Sequence, residues 1–440
     1  MSAELSRRNF LQFVGGAAGV ALLGSAGIKK AYAAGVKIRL AGDSDVGQGG
    51  RWMRARAQEW VEKTGNQLEY ISRPNSSTET LSLYDQYWAA ASSDVDAYLI
   101  DVIWPGIASP HAVDLKKYFK EEDTNQYFPR IIENNTVDGK LVALPLFTDA
   151  GILYYRTDLL EKYGFKQPPQ TWEDLTDMAK KIQDGERKAG KPDFQGFVFQ
   201  GAAYEGLTCD GLEWIYSYNG GTIIDRDKKI TINNPNAIKA LEIAKSWVGT
   251  IAPRGVTVYQ EEQARNLFQG ADAAFMRNWP YAYALGNAPQ SPIAGKLAVT
   301  VLPKGGADGQ HAAALGGWQL MVSKYSKNPD AAADLIGYLC SAEVQKKQAL
   351  DLSDLPTRPA LYKDGDILAK LPWFASMLEV LNNAVARPST VLKSNYNEVS
   401  TAFFQHVNNV LNGEESAKNA VAEIERTAKR FLPSGSTGSA

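Results

Sequence analysis

Ala97-Tyr98-Leu99-Ile100-Asp101-Val102-Ile103-Trp104 is a nearly continuous apolar run with one carboxylate set into it. A strand covered on both faces in a parallel sheet needs a run of this kind. Reading upstream, Val36–Leu40 alternates as a strand and ends at the turn-rich Ala41-Gly42-Asp43-Ser44. Trp52, Ala55, Trp60 and Val61 space out an amphipathic helix over 51–63 that stops at Thr64-Gly65. Leu68–Ile71 is the next strand, and a helical stretch over 80–92 leads into the apolar run. Strand, helix, strand, helix, strand is an α/β order.

Downstream of 141–146 the pattern changes. Pro145-Leu146-Phe147-Thr148-Asp149-Ala150-Gly151 joins a strand at Ile152–Tyr155 to helices at 172–188 (with Thr171 as N-cap), 236–248 and 260–269. Strands return at 296–302 and 315–322, followed by helices at 329–340 and 343–350. Two further helices, about 395–411 and 416–431, are separated by Gly413 as a C-terminal stop. At roughly 150 residues per domain, 440 residues make about two or three domains. The element order resolves them as two α/β lobes.

Composition narrows the chemistry. With 47 Lys+Arg against 49 Asp+Glu, a net charge of −2 gives no electrostatic reason for a nucleic-acid partner. Two cysteines exclude a disulfide scaffold and CxxC-type metal sites, and His111, His311 and His406 are too few and too scattered for a histidine-based metal centre. Gly47-Gln48-Gly49-Gly50 does not fit the dinucleotide fingerprint. No cofactor, metal or catalytic cluster is expected. The N-terminus carries Arg7-Arg8 before Phe10-Leu11, an apolar stretch from Phe13 to Ile28 and Ala31-Tyr32-Ala33. That pattern is a twin-arginine export signal cleaved after about Ala33, which places the mature chain in the periplasm. The Pro/Ser/Gly-rich tail over 433–440 is expected to be disordered.

The aromatic residues stand out: ten Trp, twenty Tyr and fifteen Phe, several in Gly- or Pro-rich contexts that no core stripe demands. Trp104-Pro105-Gly106, Asn278-Trp279-Pro280-Tyr281, Gly316-Gly317-Trp318 and Leu371-Pro372-Trp373-Phe374 are of this kind. Together with Asp101-Val102-Ile103-Trp104, Phe147-Thr148-Asp149-Ala150-Gly151, Tyr204-Glu205-Gly206-Leu207-Thr208-Cys209 and Asn383-Ala384-Val385-Ala386-Arg387-Pro388, they form an ordered set over most of the mature chain. The set resembles the extracellular solute-binding proteins (family 1) of sugar ABC importers, most closely the trehalose/maltose-binding type.

The resemblance implies a class II two-lobe periplasmic binding protein with three hinge crossovers near 148–151, 313–317 and 356–359. One lobe would comprise 35–147 plus 318–355, the other 151–312 plus 358–432, with the ligand cleft between them. It implies a monomer that delivers its sugar, a disaccharide such as trehalose, maltose or sucrose, to membrane permease subunits. A sugar needs carboxylates to accept from hydroxyls, an arginine to donate and rings to stack on its C–H faces. The matching positions are Asp101, Asp149, Trp279, Trp318, Arg387 and the backbone of Gly317. Phe147 stands where the family commonly has Tyr, so it stacks without a hydroxyl. Asp43 or Gln48 in the first-strand loop and Arg358 near the third hinge are further candidates, and Arg73-Pro74-Asn75 is a similar loop.

Structural roles compete at each place: a turn or N-cap for Asp101, core packing for the tryptophans, a buried ion pair for Arg387. Cys209 and Cys340, assigned to different lobes, are expected to be buried free thiols. Two other functions remain open. The same scaffold could take a sulfonated sugar, sugar alcohol or monosaccharide. An exported glycoside hydrolase would also use aromatic rings and two carboxylates.

Overall fold

The alternating segments become twelve strands in the computed structural model, which describes residues 35–432. The export signal over 1–33 and the tail over 433–440 lie outside the described residues. In chain order the strands are β1 (Lys37–Gly42), β2 (Gln67–Ser72), β3 (Ala97–Asp101), the short pair β4 (Thr136–Val137) and β5 (Lys140–Leu141), β6 (Leu144–Ala150) and β7 (Ile152–Arg156). They continue as β8 (Gln195–Val198), β9 (Ala273–Asn278), β10 (Leu297–Thr300), β11 (Leu315–Val322) and β12 (Leu355–Pro356).

Six of them form one sheet in the order β12-β6-β11-β3-β1-β2, and four form another in the order β10-β7-β9-β8. The large sheet is mixed where the apolar run suggested a parallel one. β3 runs parallel to β1 and antiparallel to β11. Its burial on both faces explains the continuous hydrophobicity. Ala97 and Leu99 pack with Leu40, Trp60, Leu335 and Ile336, whereas Tyr98 and Ile100 face the opposite core with Tyr84 and Trp88. A fully buried side chain of this size contributes about 1.5–3 kcal/mol. The strand stops at Asp101, so Val102, Ile103 and Trp104 belong to the following turn and short helix.

Local signals set the helix ends. The helix Gly49–Thr64 terminates at Gly65 in the left-handed conformation, φ 73°. Thr171 caps the helix Trp172–Lys188 through a reciprocal box: its hydroxyl accepts from the Asp174 N–H, and the Asp174 carboxylate accepts from the Thr171 N–H. Gly413, φ 77°, separates the helices Tyr396–Asn412 and Ala417–Phe431.

The chain passes from the large sheet to the small one at Gly151, returns between β10 and β11, and leaves the large sheet again after β12. These three crossings make the two-lobe architecture. Downstream of the third, Val385 returns to the second: Leu315 N–H donates to Val385 O and Val385 N–H to Ala313 O. Gly151 is hemmed in by a buried ion pair: a Cβ there would collide with Glu213 Oε1 and Arg277 Nη2. Among the described residues no helix is long and apolar enough to cross a membrane. No cluster of three or more His, Cys, Asp or Glu is arranged among them to hold a metal.

Candidate functional site

Strand register builds the centre of the site. Trp318 on β11 lies opposite Asp101 of β3 on one side and Phe147 of β6 on the other, and Gly316 lies opposite Asp149. Pairing thus collects two carboxylates and two rings at one end of the large sheet. The register shifts between Trp318 and Gln319, a local break of the kind that re-aims side chains next to a site. Gly317 has φ +119°, and a Cβ there would stand 2.5 Å from the Phe147 carbonyl oxygen. Only glycine allows β11 to approach β6 in this conformation.

These residues line a cavity of about 1040 Å³ of empty space, part of it open to solvent. The loops after β1 and β2 contribute Asp43, Gln48 and Arg73, in keeping with ligand placement at the carboxyl ends of strands in open α/β sheets. From the other side come Trp279, directly after β9, and Glu205 and Gly206 in the first turn of the helix Glu205–Ser217. Glu261 and Glu262, opening the helix Glu261–Gln269, complete that wall.

Asp149 is the carboxylate of this lining that the protein leaves unpaired. It is only 8% accessible, its carboxylate takes no hydrogen bond from the protein, and Oδ1 is fully buried. Burial, reinforced by Asp354, pushes its carboxyl well above the ordinary range, with Arg277 opposing. Such a group calls for donors from outside the chain.

The two tryptophans are half-buried, and each lies under a guanidinium. Arg73 sits 3.8 Å from the ring centre of Trp318 and is itself held by Asp43 Oδ1 at 2.7 Å. Arg277 sits 4.0 Å from the ring centre of Trp279, whose indole N–H donates to Glu261 at 3.3 Å. Trp104 braces Trp318 edge-on, with ring centres 5.6 Å apart. Cations fixed in this way orient the rings without occupying the cavity.

Arg277 is fully buried in a network of its own. It donates to Glu213 Oε1 and Oε2 at 2.5 and 2.8 Å and to Gln200 at 3.0 Å, and its Nε lies 3.0 Å from Asp210. Glu213 Oε1 also accepts the Ala314 N–H at the second crossing.

Residues 43–346 match the model of the bacterial extracellular solute-binding protein family. The chain belongs to that family. It is 51% identical over 400 residues to a probable ABC transporter-binding protein of Deinococcus radiodurans, covering 91% of this chain and 94% of the relative. Among solved structures, maltose-bound MalE3 of T. maritima is similar at 40% identity with a TM-score of 0.84, over 90% of this chain and 100% of the other. A solute-binding protein of Agrobacterium radiobacter K84 in complex with ribitol is similar at 25% identity and a TM-score of 0.79, over 91% and 99%. The protein is the extracellular solute-binding component of an ABC transporter and not an enzyme.

Of the residues singled out in its sequence, Asp43, Gln48, Asp101, Phe147, Asp149, Trp279, Gly317, Trp318 and Arg387 all line the cavity of the binding protein. Arg358 does not. Its guanidinium turns away from the cavity, donating to Gln126, to the Tyr127 hydroxyl and to Cys340 O, with Tyr127 stacked beneath it at 4.1 Å. Arg387 lines the cavity, but as part of an ion pair: it donates to Glu205 at 2.8 Å, and to Asp101 and Leu315 O at 3.3 and 3.2 Å. Burial pushes both carboxyls up, and Arg387 offsets part of that. Its Nε stays buried without a partner. Cys209 and Cys340 are buried free thiols, the former at the cavity wall.

Sequence reasoning overlooked Glu205, Glu261, Glu262 and Asp354. Glu205 lay within a quoted motif, where helix onset offered a signal. Asp354 follows Leu352-Ser353, an unremarkable turn in sequence.

Proposed function

We propose that this binding protein captures a disaccharide such as trehalose, maltose or sucrose between its lobes and passes it to the permease. The observation that carries the reading is Asp149: a buried carboxyl without a protein donor, in a cavity that Trp279 and Trp318 also line. Hydroxyls supply the missing donors, and the rings cover C–H faces. The maltose-bound relative at 40% identity supports this choice. Asp101, Asp43, Gln48 and the Gly317 backbone serve as further polar contacts, and Phe147 as an apolar one. Arg73 steadies Trp318, and Arg387 offers its free Nε–H.

The lobes in this reading are 35–147 plus 318–355 and 151–312 plus 358–432, moving about the three crossings. The protein works as a periplasmic monomer exported through its twin-arginine signal. A second reading, a monosaccharide or sugar alcohol, draws on Phe147, which lacks a hydroxyl, and on the ribitol-bound relative. Thermal-shift screening of disaccharides, monosaccharides and alditols tests both, since a ligand at 100 times its Kd stabilises by about 2.7 kcal/mol. Stabilisation by disaccharides alone supports the first reading; stabilisation by ribitol or a monosaccharide alone replaces it with the second. Small-angle scattering with the stabilising ligand should show a smaller radius of gyration, and an unchanged profile would count against lobe closure.

A further inference from the structure

The helix Ala342–Leu352 ends at Ser353, which takes the left-handed conformation at φ 63° although it carries a side chain. Its N–H closes on Ala349 O at 2.9 Å, and the next residue, Asp354, is placed in the cavity wall beside Leu352. Asp354 is 6% accessible. One protein donor reaches its carboxyl, Gln348 Nε2 to Oδ2 at 2.8 Å, and no cation pairs with it. A carboxyl this deep ordinarily collects two or more donors. Asp149 in the same cavity has none, and its fully buried Oδ1 is an orphan. The two groups sense each other, and burial lifts Asp354 to about 7, with Asp43 adding to the rise and Gln348 opposing it.

The rest of the lining decides what charge can enter. Asp43, Asp101, Glu205, Glu261 and Glu262 also face this space. The two guanidinia that line it, Arg73 and Arg387, are already held by Asp43 and by Glu205 and Asp101. Among the described residues no unpaired cation lines the cavity to receive a phosphate, sulfonate or carboxylate.

We propose that Asp354 is a specificity-determining ligand contact that, with Asp149, accepts hydroxyl donors from one uncharged polyhydroxylated solute and rejects anionic ones. This rests on the sugar-binding reading above and narrows its substrate class, removing the sulfonated sugars.

Isothermal titration of the mature protein at pH 8 with maltose, trehalose and ribitol, and with trehalose 6-phosphate, glucose 6-phosphate and glucuronate, tests the charge rule on the parent alone. The expected result is heat from at least one uncharged probe and none from the anionic set. Asp354→Asn should weaken the uncharged probe at least tenfold while leaving the ligand-free melting temperature unchanged or higher. Tight binding by the parent that is equal in Asp354→Asn, or an anionic probe bound more tightly than its neutral counterpart, would overturn this inference while leaving sugar binding intact. A parent that binds no neutral probe would overturn the sugar reading and this inference with it.

Discussion

Replacing Asp149 with Asn should move stability and affinity in opposite directions. In the ligand-free protein the Asp149 carboxyl is buried, receives no hydrogen bond and lies close enough to Asp354 for their charges to repel. Leaving a buried polar group unsatisfied costs about 1–3 kcal/mol, more when it is charged. The amide has nearly the same shape and no charge, so at a pH that ionises the parent carboxyl ligand-free Asp149→Asn should be more stable by on the order of 1–3 kcal/mol. In the complex, ligand hydroxyls donate to the carboxylate, and hydrogen bonds to charged groups are worth about 1.5–3 kcal/mol. Affinity should therefore fall by roughly 10- to 150-fold. Urea denaturation without ligand gives the first quantity and calorimetry with the best-stabilising sugar gives the second. The stability gain should also shrink on acidification. The folded-state carboxyl titrates above its unfolded counterpart, so at low pH the parent is already protonated and the penalty is gone. A ligand-free variant less stable than the parent across the whole pH range, or one that binds equally well, would refute the assignment of Asp149 as an unpaired acceptor awaiting its ligand.

Trp279→Ala should weaken sugar binding at least tenfold, about 1.4 kcal/mol, while costing less stability than the ~3–5 kcal/mol of a core aromatic, as calorimetry and denaturation together will show. Trp318→Ala should lose affinity similarly but cost more stability, because Trp104 and Arg73 pack on it. Gly317→Ala forces a Cβ against the Phe147 carbonyl at φ +119° and should cost about 1–3 kcal/mol in denaturant melts. Glu213→Gln leaves Arg277 buried with a weakened partner, and a loss approaching the ~3–5 kcal/mol of a broken buried pair is expected. For Asp354, the folded pKa of about 7 lies above the ordinary 3.8, so its share of ligand-free stability should decline as pH rises through that window. Melting temperatures of parent and Asp354→Asn across pH 4–8 should diverge upward from about pH 5.

Most of the architecture was legible because it depends on local rules. Gly65 and Gly413 ended their helices, Thr171 capped its helix, and alternation marked β1. The parallel setting inferred for β3 was only half correct, since burial on both faces yields the same apolar run whether a neighbour is parallel or antiparallel. Trp279 and Trp318 were found because they sit in Gly- or Pro-rich contexts where a ring has no core duty, whereas Asp101, Asp149 and Arg387 came from the family resemblance. Arg358 had the same local look, yet Tyr127 and Gln126, more than 230 positions away, claim it. Asp354 was invisible for the converse reason: only tertiary packing turns a short polar string after a helix into a cavity wall.

One helix reaches from a crossing to the mouth of the cavity. Glu213 fastens the body of Glu205–Ser217 to the Ala314 amide, and Glu205, at its other end, holds Arg387. Eight residues of helix separate the two contacts, about 12 Å at 1.5 Å per residue. The helix is buried along nearly its whole length and cannot flex independently of its surroundings. It therefore ties the crossing at Ala314 to the cavity wall at Arg387 as one stiff element. The same stiffness keeps the Glu205 carboxylate, which also accepts from Tyr396 and Ser400, in place beside Arg387.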